Sequence, residues 1–146
     1  MYWPKILMEV VQLISHGGLE KGEVNYDSDI SRVQVSGGKL PFCFNLSNYD
    51  FVDCELAGSL SFCDIFRSQV SSATLKRCNF YQGTSVEGSK VESCYVNKTC
   101  EVKNSYVANW DSVFKGKMIG GIFRHGQIGR EAEFDGTEII TSKKIN

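Results

Sequence analysis

At 146 residues the chain is the size of a single domain that can bury its own core, so no linker is needed to explain it. Sixteen basic against 17 acidic side chains leave a net charge of −1, which excludes both a strongly cationic nucleic-acid binder and a polyanionic surface. The six cysteines, Cys43, Cys54, Cys63, Cys78, Cys94 and Cys100, form no C-x-x-C pair and accompany no export signal, so free thiols in a cytoplasmic protein are expected rather than disulfides or zinc.

In chain order the first element is a short amphipathic helix over residues 1–20. Pro4 sits at its start, Ile6, Leu7, Val10, Val11, Leu13 and Ile14 form its apolar face, and Gly17-Gly18 stops it. Glu9 and Gln12 interrupt it, and it is too short and too poor in positive charge to span or hold a membrane. Its predicted role is to cap the open strand edges that follow.

From Gly22 to Ile139 the sequence repeats in units almost all of five or six residues, each with one large apolar residue, as in Leu60, Ile65, Val70, Leu75, Phe80, Val86, Val91 and Val96. The residue two positions earlier is small in 19 of 23 units, where chance would give about a third, so the pairing is a packing rule. Period-two alternation puts both residues on the inner side of a strand, and a bulky residue beside a small one fills a narrow coil without clash. Five of the six cysteines occupy the small slot and read as core residues; Cys43 is off-register.

Three consecutive units sum to sixteen residues, which predicts an all-β, three-sided β-helix of about seven coils, the solenoid occupying residues 21–141 with a tail at 142–146. Val70, Val86, Val102, Met118 and Phe134 form one predicted ladder, and Leu75, Val91, Val107, Phe123 and Ile139 the next. Ser72, Gly88, Asn104, Gly120 and Gly136 form a turn column suited to positive φ. The phase slips by two between Leu56 and Val70, predicting a distorted corner near Gly58 to Asp64, and the unit around Trp110, with Val113 as its large residue, is irregular.

The small-x-large units, with CNF at Cys78 to Phe80 and YDF at Tyr49 to Phe51, resemble pentapeptide-repeat proteins. IGREAEF (Ile128 to Phe134) and FYQGTSV (Phe80 to Val86) resemble the hexapeptide repeat of acyltransferases. The sixteen-residue coil is similar to bactofilin-like right-handed solenoids, and FKGKMIGGIFRHGQIG (Phe114 to Gly129) to glycine-punctuated repeat proteins of large tailed phages. The first resemblance implies mimicry of DNA, which the near-neutral charge opposes. The second implies acyl transfer with His125 as base, unsupported by any long extruded loop. The bactofilin resemblance implies a right-handed helix, and the phage resemblance a virion or assembly component.

The search for chemistry finds no catalytic constellation. His16 and His125 are too few for the three-histidine zinc site of solenoid carbonic anhydrases, and no glycine-rich stretch ends in Gly-Lys-Ser/Thr. The column Ser85, Glu101, Lys117, Glu133 alternates in sign, as do Glu87 and Lys103, and reads as cross-strand pairing on a solvated side. Asn45-Leu-Ser47 and Asn97-Lys-Thr99 match the glycosylation pattern by chance. One side, with Asn79, Tyr81, Tyr95, Asn97 and Gln127 and with Trp110 nearby, reads as aromatic, amide-rich and almost uncharged, suiting a protein or carbohydrate surface. Outward Ile119, Ile122 and Ile140, toward the C-terminal end, mark end-to-end or side-by-side association. The expected function is a non-enzymatic scaffold or interaction module without cofactor or metal, whose partner is a protein or another copy of itself, not nucleic acid or membrane.

Overall fold

A computed structural model describes residues 23–27, 32–39, 45–140 and 142–144. The helix expected over residues 1–20 and Cys43 lie outside these. The described residues form a β-solenoid of about six turns, built of parallel strands. One turn lays Ser85–Glu87, Lys90–Glu92 and Tyr95–Val96 on its first, second and third faces. The next turn pairs Glu101–Lys103, Tyr106–Ala108 and Val113–Phe114 onto them.

The middle residue of the three-residue strands is turned toward the inside of the coil. Val70, Val86, Val102, Met118 and Phe134 stack in register on the first face, and Leu75, Val91, Val107, Phe123 and Ile139 on the second, as the spacing predicts. The third face contributes Val35, Phe51, Ile65, Phe80, Val96, Phe114 and Ile128 to the same core.

Volume alone does not explain the small residues. Most follow a corner residue of positive φ, as with Asp53 (54°) before Cys54, Ser72 (51°) before Ala73, Gly88 (59°) before Ser89 and Ser93 (52°) before Cys94. Many of the small residues carry a hydroxyl or thiol that donates back across the corner to the carbonyl two residues earlier, from Ser68 to Phe66 at 2.8 Å, Ser105 to Lys103 at 2.8 Å and Cys94 to Glu92 at 3.3 Å. The same atom accepts the N–H of the small residue one turn back: Ala73 donates to Ser89, Ser89 to Ser105 and Cys78 to Cys94. Corner amides that have no ladder partner are satisfied this way. Among the described residues, no buried side-chain nitrogen or oxygen lacks a partner.

The phase slip is a matter of missing corner residues. The third-corner links Asp53–Cys54 and Arg67–Ser68 have two residues where Gln82–Thr84 has three. The first corner at Gly58 (φ 101°) also lacks its turn residue, so the register shifts between Leu56 and Gly58. The offset is sixteen from Val35 to Phe51, falls to fourteen from Leu46 to Leu60 and fifteen from Ile65 to Phe80, and returns to sixteen from Val70 to Val86.

Three expectations are corrected. Glu23–Asp27, read as a first coil unit at Val24, instead lies antiparallel to Arg32–Ser36, so the parallel ladder begins at Arg32 and the turns number about six rather than seven. Lys143–Lys144, placed in the tail, pair in parallel with Gln127–Ile128 and continue the third face. At the irregular unit the buried residue is Phe114, while Val113 is only partly buried. There the second corner is lengthened to Asn109–Ser112 and the following third corner shrinks to Gly116 alone. A Cβ on Gly116 would stand 2.6 Å from the Cys100 carbonyl oxygen, so the shortened corner requires glycine.

Candidate functional site

The third face is the candidate site, and its outward residues fall in two rows. One row runs Asp50, Asp64, Asn79, Tyr95, Val113 and Gln127, and the other Val52, Phe66, Tyr81, Asn97 and Lys115. Because successive strands lie about 4.8 Å apart, side chains in a row touch. Phe66 stacks on Tyr81 with centroids 5.1 Å apart and planes 21° from parallel, and Tyr81 meets Tyr95 at 5.8 Å and 44°. The Lys115 ammonium closes the stack 5.6 Å from the Tyr95 centroid.

Toward the N-terminal end the face is ionic. The Arg32 guanidinium donates to the Asp50 carboxylate at 2.6 and 2.8 Å and lies 3.6 Å from Asp64, whose other bond is from Asn79 Nδ2 at 2.8 Å. Burial works against the Arg32 charge, but Asp50 and Asp64 outweigh it and raise its pKa. Burial, with the Asp64 charge, pushes the Tyr81 phenol up, so it remains a neutral donor. The side is therefore not almost uncharged: two carboxylates share one guanidinium at one end, and Lys115 stands toward the other.

The structure gathers Asn79, Tyr81 and Tyr95 as expected. Asn97 is adjacent, but its side-chain oxygen is spent on its own corner, accepting from the Thr99 amide and hydroxyl. Gln127 shares the face two strands on. Trp110 is not on the face; it projects at the second corner, 60% exposed, stacked on His125 at 3.9 Å and 11°. Ile119 lies outward on the first face and Ile122 and Ile140 on the second, all half-buried, so they line two sides of the last turns. The exposed apolar residue of the last turn is Ile139.

Phe66, Asp64, Lys115 and the exposed corner residue Phe62 were missed. A sixteen-residue period does not find them, because Phe66 meets Tyr81 fifteen residues on and Val96 meets Phe114 eighteen on. On the first face Glu101 and Lys117 are register partners, yet the Glu101 ion pair forms along the strand with Lys103 at 3.0 Å.

The five described cysteines are buried and free. The hydrogen bond to Cys78, together with burial, pushes the Cys63 thiol up. Cys63 lowers Cys78, but the contact with Cys94 and burial outweigh this and hold it at about 12. The thiols of Cys54, Cys63, Cys78 and Cys94 pack in the core and donate to corner carbonyls. Among the described residues no three His, Cys, Asp or Glu side chains converge as metal ligands. The chain matches no family model, no curated protein and no solved structure.

Proposed function

We propose that the chain is a rigid, non-enzymatic interaction module that docks a protein on its third face and the second corner beside it. The observation that carries this reading is the placement of Phe62 and Trp110, 53% and 60% exposed, both at that corner, along one edge of the face that carries the Phe66, Tyr81 and Tyr95 stack. Bulky residues at positive φ are disfavoured by about 1–2 kcal/mol, and Phe62 (φ 54°) and His125 (φ 54°) hold such positions where the first corner uses Gly88, Gly120 and Gly136. Exposed aromatics kept at that cost are typical of binding anchors.

A protein surface suits this face better than a sugar. The rings of Phe66 and Tyr81 lie too close to be side by side, so they stack and present edges rather than faces, leaving no flat platform for a sugar ring. One face of Trp110 is likewise taken by His125.

The test is capture by the immobilised full chain. Proteins retained by the wild type are expected to be lost with Tyr81→Ala/Tyr95→Ala and retained by a control on the first face, Glu87→Ala/Lys103→Ala. Equal retention by both variants overturns the reading.

A further inference from the structure

The third face has a property that bears on which protein it takes. Leaving aside the antiparallel strand Glu23–Asp27, the face has eight strands, and its midline falls between Asn79–Tyr81 and Tyr95–Val96. Consider a two-fold axis at that midline, parallel to the strands. Such an axis keeps each row on itself and reverses the order of strands, exchanging Asn79 with Tyr95, Tyr81 with Asn97, and the Asp64–Phe66 strand with Val113–Phe114.

The central exchanges are complementary, while Asp64 itself falls opposite Val113. Each tyrosine meets an amide. Lys115 meets the Phe66 ring and comes within reach of the Asp64 carboxylate two residues along the strand. At the second corner, Trp110 precedes Val113–Phe114 and Phe62 precedes Asp64–Phe66, so the two exposed corner aromatics also change places and meet.

Charge runs the same way. Arg32 alone offsets both Asp50 and Asp64, leaving one negative charge in excess, while Lys115 has no carboxylate partner among the described residues. An antiparallel pair sets each excess against its opposite, whereas a parallel pair sets like against like. The face, about 34 Å by about 17 Å, would bury about 1,100 Å² in total, just above what a specific dimer needs.

We infer that the partner is a second copy of this chain, joined antiparallel through the third face in an isologous dimer. The inference rests on the function proposed above and names its partner.

The test is sedimentation equilibrium of the full chain, with thermal melts to verify folding. The wild type is expected to dimerise, more weakly at high salt. Asp64→Lys and Lys115→Glu are each expected to weaken the dimer at least tenfold. An equimolar mixture of the two variants regains it, because the heterodimer restores attraction at both contacts. A wild type that stays monomeric at 100 µM or so, or single variants that dimerise normally, or a mixture that fails to re-associate, overturns the inference. If the chain is monomeric while Tyr81→Ala/Tyr95→Ala still abolishes capture of another protein, the interaction module stands and only self-pairing falls.

Discussion

The first and second corners solve the same backbone problem with different side chains. At the first, Ser72, Gly88, Asn104, Gly120 and Gly136 take φ between 47° and 67° with small or locally bonding residues. At the second, Asn48, Phe62, Arg77, Ser93 and His125 take φ between 52° and 64°, and the column is broken by the four-residue corner that carries Trp110. The first corner is what folding alone would choose. The second accepts strain to present aromatic and cationic groups, so corner chemistry, rather than the ladders, separates scaffold from surface.

The contrast breaks most sharply in glycine replacements at the first corner. Gly121→Ala, at φ 72° with its Cβ driven into the Ser105 carbonyl, is expected to cost about 3 kcal/mol or more, measured by chemical denaturation. Gly88→Ala, at φ 59° with nothing within 4 Å, should cost only about 1 kcal/mol. Equal losses would mean that turn strain, not contact, governs that corner.

At the second corner, Asn109 stands in the small slot, fully buried, accepting the Cys94 amide at 2.7 Å and donating to the Ser112 carbonyl at 3.1 Å. Asn109→Ala leaves that amide unpaired and should cost about 1–3 kcal/mol, while Asn109→Ser should recover part of it.

The thiols Cys63, Cys78 and Cys94 line this same corner, whereas the first corner has Ala73, Ser89 and Ser105. Because the folded thiols of Cys63 and Cys78 ionise above the ordinary value of 9.0, the unfolded chain loses their protons first as pH rises. Their stabilisation is complete below pH 9 and declines from there toward about 12, by about 1.4 kcal/mol per pH unit per thiol at most. Denaturation between pH 7 and 11 should show this decline, and Cys63→Ser/Cys78→Ser should flatten it.

The smallest effect has the opposite sign. Phe62→Gly removes an exposed ring from φ 54° and should stabilise the fold by about 0.5–1 kcal/mol while weakening partner capture. A destabilised variant would show that Phe62 serves the core after all.

The ladders could be read from sequence because burial at one face imposes a strict alternation, and Val70 to Phe134 keeps one sixteen-residue offset throughout. The third face was harder. Its offsets are fourteen, fifteen and eighteen in places, so Tyr81 and Tyr95 could be placed together while Phe66 and Lys115 could not. The hydroxyl and thiol caps hid inside a volume rule, since Ser, Thr and Cys satisfy both size and hydrogen bonding. Trp110 was visible as an irregularity, but its position off the face depends on which corner holds the extra residues.

That insertion has a wider consequence. Two residues gained at Asn109–Ser112 are removed at Gly116, and Lys117 returns to register with Glu101 as though nothing had changed. The pair acts like compensating frameshifts: the chain carries a local departure and then resumes its phase. A solenoid with this property can exchange a presented loop at one corner without disturbing later turns, provided the length is repaid at the next. The second corner, with Gly116 as its fixed counterweight, is where such exchange is open to an engineer.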